Sequence, residues 1–247
     1  MARYKVILAY DGTEFQGFQR QATVRTIQGS VEDALKSLGW RDKSIIGAGR
    51  TDAGVHASGQ VISFDFDWNH STQDLRNALN SNLPVDIAAK SVELVEADFH
   101  ARYSAVARRY RYRLYCDRVR DPLLERSAWR VWPQVSMDAL NQAAAYFVGT
   151  HNFSTFGTAH HSGGSTFRKV MASTWMRDGQ ELVYEILCNA FLYHMVRRLV
   201  NFQVEVGQGK KEHQAAHKLL NNTLDNLVQG LAPAHGLSLV EVVYPPN

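Results

Sequence analysis

The segment Gly49-Arg50-Thr51-Asp52-Ala53-Gly54-Val55-His56-Ala57 gathers a guanidinium, a hydroxyl, a carboxylate and an imidazole into one short stretch. Its glycines invite comparison with phosphate-binding loops, and the comparison fails. A dinucleotide fingerprint counted from Gly47 needs its third glycine where Asp52 stands. A Walker loop needs Gly-Lys-Ser/Thr, which is absent here and also at Gly207-Gln208-Gly209-Lys210-Lys211. The glycines instead let the backbone bend sharply or a ligand approach closely, displaying Arg50, Thr51, Asp52 and His56 on a loop between two strands. An aspartate in that setting can act as a nucleophile or relay a proton. It can equally cap local amides in a structural turn.

Two further patterns carry chemistry. Arg197 and Arg198 lie among Phe191, Leu192, Met195, Val196, Leu199 and Val200, where two cations are costly to bury. Either one of them pairs with a buried acid, or both reach solvent along their apolar stems. In Arg108 to Tyr115, strict alternation sets Arg108, Tyr110, Tyr112 and Leu114 on one face of a strand and Arg109, Arg111, Arg113 and Tyr115 on the other. Seven arginines and a single acid between Arg102 and Arg120 read as a nucleic-acid footprint or as a solvated charged face. Arg20, Arg25, Arg168, Lys169, Lys210 and Lys211 are further candidates for phosphate contacts. The histidines lack zincin or zinc-finger spacing, so no metal is expected, and Cys116 and Cys188 read as buried thiols of a reducing compartment.

The elements that must position these residues follow from periodicity. A strand over 3–10 leads through a Gly/Gln-rich loop to a helix capped by Thr26 and stopped by Gly39. Strands are expected over Ser44–Ala48 and Gly59–Asp67, a helix over Thr72–Leu83 and a strand over Ile87–Val95, which is the β-α-β-β-α-β order. The second half gives a strand over Ala105–Cys116, a helix over Ser136–Val148, and strands over Arg168–Arg177 and Leu182–Cys188. Helices over Phe191–Val206 and His213–Asn221 and a strand over Ser238–Tyr244 follow. The expected fold is therefore α+β: two ferredoxin-like halves, 1–103 and 104–247, sharing a mainly antiparallel sheet with a cleft between them. Charge divides unevenly, with 11 basic against 13 acidic residues in 1–103 and 16 against 11 in 104–247. The start of the chain lacks the apolar core of a signal peptide, and no apolar run approaches the roughly 18 residues of a membrane span, so a cytoplasmic protein is expected.

Five segments, in order, resemble the bacterial tRNA pseudouridine synthase I family. They are Ala9-Tyr10-Asp11-Gly12-Thr13 with Gly17-Phe18-Gln19, then Gly49 to Ala57, then Asp98 to Ala105 with Arg109-Tyr110-Arg111-Tyr112, then Phe191 to Arg197, and finally Ala232 to Leu237. Phe18, Asn152 and Asn201 depart from the family's usual tryptophan, aspartate and glycine. The resemblance implies a pseudouridine synthase fold and isomerisation of uridines 38, 39 and 40 in the tRNA anticodon stem-loop, without a cofactor, by a homodimer. It implies Asp52 as the catalytic carboxylate, Arg197 as its charge partner, Tyr110 as the ring stacked on the target base and Arg50 as the residue that helps flip the base or hold its phosphate. The competing reading is a non-catalytic RNA-binding protein built of ferredoxin-like halves, although no paired aromatic recognition strands are present. A glycosidic hydrolase would need a second acid near Asp52, and none stands close in sequence.

Overall fold

The computed structural model describes residues 1–221 and 226–245. The fold is α+β, and the chain divides into two compact units: Met1–Val106 together with the segment from Ser238, and Ala107–Leu237. The chain thus returns to its first unit at Ser238.

In the first unit, β1 (Ala2–Tyr10), α1 (Ile27–Ser37), β2 (Ile46–Gly47), β3 (His56–Phe66), α2 (Thr72–Asn82) and β4 (Ile87–Val95) run in the expected ferredoxin-like order. Strand β1 is central, antiparallel to both β3 and β4, and it buries Tyr4, Val6, Leu8 and Tyr10 on one face, as alternation demands. Strand β2 covers one end of the far edge of β3, pairing Ile46 with Ser63. A later strand, β10 (Leu237–Val243), runs parallel to the other end, pairing Ser238 with His56 and Leu239 with Ala57. Helix α1 starts where Thr26 accepts a hydrogen bond from the Gly29 amide at 3.2 Å, and it buries Ile27, Val31, Ala34 and Leu35. Helix α2 opens on a capping box between Ser71 and Asp74.

The second unit contains β5 (Ala107–Cys116), β6 (Trp129–Val131), α3 (Met137–Ala145), β7 (Gly149–Asn152), β8 (Phe167–Asp178), β9 (Glu181–Cys188), α4 (Met195–Gly207) and α5 (Ala215–Asn221), followed by one 3-10 turn at Ala234–Gly236. Its strands lie in the order β5-β9-β8-β7, antiparallel throughout, with the short β6 parallel to β5. The core holds Phe147, Phe153, Phe156 and Phe202, with Phe147 and Phe156 meeting edge to face at 5.3 Å. Helix α4 begins four residues later than its apolar pattern suggests. His194 adopts a left-handed backbone (φ 63°), and Tyr193 is held in an isolated bridge to Thr158, so residues 191–194 cannot be helical. Among the described residues no helix is long and apolar enough to cross a membrane.

Candidate active site

Asp52 sits half-buried on the loop between β2 and β3, at the head of a four-residue turn in which its carbonyl accepts from the Val55 amide at 3.2 Å. The backbone therefore makes a structural turn, and that turn carries the half-buried Asp52 side chain. The turn is held from outside by the first family-like segment. The Phe18 amide donates to the Thr51 carbonyl at 3.0 Å, and the Gly54 amide donates to the Phe15 carbonyl at 3.3 Å. The Gly12 amide donates to His56 Nδ1 at 3.0 Å. A side chain on Gly12 would lie 2.1 Å from the Val55 carbonyl oxygen, and Gly17 combines φ +92° with a virtual Cβ only 3.0 Å from the Thr51 carbonyl. Those two glycines are what let one loop lie against the other. Phe18, in place of tryptophan, is buried with its ring edge against Gly47.

From inside, the loop is fixed by two residues that sequence reasoning missed. The Tyr10 hydroxyl and Thr51 Oγ1 are 2.9 Å apart, and Gln60 Nε2 donates to the Gly49 carbonyl at 3.0 Å and reaches Tyr10 Oη at 3.5 Å. All three side chains are buried, and burial pushes the Tyr10 phenol up to about 12, so its hydroxyl stays protonated at neutral pH. Gly49 and Thr51 are thus anchored while Arg50, between them, is exposed. Tyr10 stood inside a quoted segment, so a signal existed for it; Gln60 had none.

The other two expected residues lie in the second unit. Tyr110 is buried on β5 opposite Ile186, its ring meeting Phe191 edge to face at 5.0 Å. Its neighbour Tyr112 is fully buried and donates to the Pro233 carbonyl at 2.8 Å; burial holds its phenol well above the ordinary range, with the Arg197 charge opposing. Arg197 is half-buried in the first turn of α4, and its Nε donates to the Ala232 carbonyl at 2.7 Å. Hence the third, fourth and fifth family-like segments converge: Tyr112 and Arg197 grip consecutive carbonyls of the Ala232-Pro233 stretch. A cation in the first turn opposes the helix dipole, and α4 has no acid there to offset it. That field favours an anion near Arg197.

The basic stripe reads differently once paired. Arg111 is bonded through Nε and Nη2 to Glu185, at 3.0 and 2.6 Å, and Arg113 forms a two-pronged pair with Glu181 at 2.7 and 2.6 Å. These cross-strand carboxylates of β9 pair with two arginines of the stripe. Arg20 is likewise ion-paired with the buried Glu32, and Arg25 with Asp86 at 2.7 and 2.8 Å, so both serve as struts of the first unit. Lys211 pairs with Glu205 at 2.8 Å. Arg168 donates to the carbonyls of Ser165 and Phe167, and desolvation lowers its pKa. Both cysteines are free thiols, and burial pushes Cys188 up to about 11.

An α+β chain with an aspartate displayed on a braced loop matches the family model described as tRNA pseudouridine synthase over residues 6–104 and 143–245. Relatives named tRNA pseudouridine synthase A include one from Geobacter sp. (strain M21), 37% identical over 99% of this chain and 100% of its own length. Another, from Brevibacillus brevis, is 41% identical over the same shares of the two chains. A solved chain of a Cbf5-Nop10-Gar1 complex covers 81% of this chain at a TM-score of 0.39 and 11% identity. The chain belongs to the tRNA pseudouridine synthase family, a family of isomerases.

Proposed function

We propose that this protein converts uridines 38, 39 and 40 of the tRNA anticodon stem-loop to pseudouridine, with Asp52 as nucleophile. The observation that carries the reading is the bracing of the Asp52 loop from both sides, by Gly12, Gly17 and Phe18 outside and by Tyr10 and Gln60 inside. A reacting carboxylate must be held in one geometry, and a merely structural turn does not need so many constraints. In the reaction the N1–C1′ bond of the uridine breaks, the base rotates, C1′ joins C5, and the proton on C5 is transferred so that N1 ends protonated. Product and substrate are isomers, so no electrons or groups are supplied from outside. Asp52 attacks either C1′ or C6, with Arg197 as its charge partner; Tyr110 stacks on the extruded base, and Arg50 helps flip the base or holds the adjoining phosphate.

Asp52→Asn should abolish pseudouridine formation, mapped by mass spectrometry of the anticodon arm, while tRNA binding persists. Turnover near wild type would remove Asp52 from its role. A wild-type protein that binds tRNA and forms no pseudouridine would favour a non-catalytic RNA-binding module. The same resemblance supports a cytoplasmic homodimer, and a single-chain mass in light scattering would overturn the dimer.

A further inference from the structure

The backbone outlier of the second unit stands beside an exposed aromatic pair. Among the described residues His194 is the only non-glycine residue with positive φ, at 63°. It occupies the N-cap of α4, yet its side chain makes no capping hydrogen bond. His194 serves the helix end through its backbone, its carbonyl accepting from the Arg198 amide at 3.1 Å, and a left-handed non-glycine residue persists where surrounding structure enforces it. What the conformation does achieve is to lay the His194 ring on the ring of Tyr193, with centroids 3.7 Å apart and planes at 26°. Tyr193 is 48% exposed. Its backbone is fixed, since the Tyr193 amide donates to the Thr158 carbonyl at 2.9 Å. In sequence the pair lies between Phe191, whose ring contacts Tyr110, and the first turn of α4, which carries Arg197 and Arg198.

We propose that the stacked Tyr193–His194 pair is a subsite for an unpaired nucleotide of the RNA substrate, whose base extends the stack on the open face of Tyr193. A rigid, exposed, π-faced surface is the chemistry that holds a single-stranded base, and it tolerates any base identity. The proposal rests on the tRNA reading above. It differs from the roles of Asp52 and Tyr110 because it concerns a second nucleotide, one that undergoes no reaction.

The test uses the full-length protein and unmodified tRNA, with binding measured directly and turnover measured by pseudouridine mapping. Tyr193→Ala should weaken tRNA binding and raise KM about ten-fold, the scale of one base–aromatic stack, with kcat largely retained. Tyr193→Phe, which keeps the ring, should recover most of that loss. His194→Gly relieves the backbone strain while deleting half of the platform, so it should melt no lower than wild type and still bind tRNA less tightly. Unchanged binding and KM in Tyr193→Ala would overturn the proposal. A change in oligomeric state in Tyr193→Ala would also overturn it, by assigning the surface to a contact between copies of the chain. If wild type bound tRNA without forming pseudouridine, the catalytic reading would fall, and the binding arm would still decide this subsite.

Discussion

Replacing Tyr10 by phenylalanine removes one oxygen from beneath the Asp52 loop and little else. The side chain is 5% exposed, so water cannot take the place of the hydroxyl without rearrangement. The bond to Thr51 Oγ1 at 2.9 Å is lost, and so is the longer approach from Gln60 at 3.5 Å; Thr51 itself is only 7% exposed and is left short of a partner. A net hydrogen bond contributes about 0.5–1.5 kcal/mol, and an orphaned buried hydroxyl costs about 1–3 kcal/mol, so the variant should lose about 2 kcal/mol of stability in urea unfolding. Thr51 immediately precedes Asp52, and a loop released by even 1.4 kcal/mol of its holding free energy should react about ten-fold more slowly. Because Arg50 and Arg197 are untouched, tRNA affinity should change little. The expected signature is a fall in kcat with KM nearly constant, measured in single-turnover and steady-state pseudouridine assays. A variant destabilised by the stated amount but turning over at the wild-type rate would refute the link between Tyr10 and the proposed role of the Asp52 loop. So would one that keeps full stability.

Gly17→Ala forces a side chain into a backbone at φ +92° and against the Thr51 carbonyl, and should cost about 1–2 kcal/mol, lowering the melting temperature by roughly 2–8 °C in calorimetry; an unchanged melting point would show the loop contact to be slack. Tyr10, Tyr112 and Tyr184 all have phenols raised by burial, Tyr10 to about 12. The unfolded chain releases those protons first, near pH 10, so their contribution is complete below that pH and is lost as pH rises through about 12. Urea unfolding at constant ionic strength should therefore show stability falling from about pH 10 upward, and a level profile to pH 12 would contradict this. Tyr110→Phe keeps the ring packed on Phe191 and should fold normally and retain partial turnover in the pseudouridine assay. Complete inactivity would assign the Tyr110 hydroxyl a part in proton transfer.

Local rules explain why some of this was legible in the residues and some was not. Helix α1 could be read from Thr26 at its start and from its spaced Ile27, Val31 and Leu35; the turn between β8 and β9 could be read from Gly179. Strands β6 and β7, at three and four residues, are too short to show a period. The start of α4 was misplaced because the residue that blocks the helix is a histidine, not the glycine or proline that ordinarily marks a break. Asp52 was found because its loop carries a distinctive string. Its bracing was not, since Tyr10 lies 41 residues from Thr51 and 50 from Gln60 in sequence, and only the β1–β3 register brings them together. The pairing of Arg111 and Arg113 was hidden for a related reason: Glu181 and Glu185 belong to a strand whose register against β5 cannot be read from either segment alone.

The return of β10 to the first unit also sets an order in time. A ribosome that has made residues 1–106 has supplied every residue of the Asp52 loop and both of its braces, yet the end of β3 next to that loop still lacks the neighbour that Ser238 and Leu239 provide. That edge remains open through the synthesis of some 130 further residues, an interval fixed by the extent of Ala107–Leu237. A nascent or prematurely terminated chain therefore carries the Asp52 loop on an unfinished sheet, and the loop reaches its final support only when the second unit has been made.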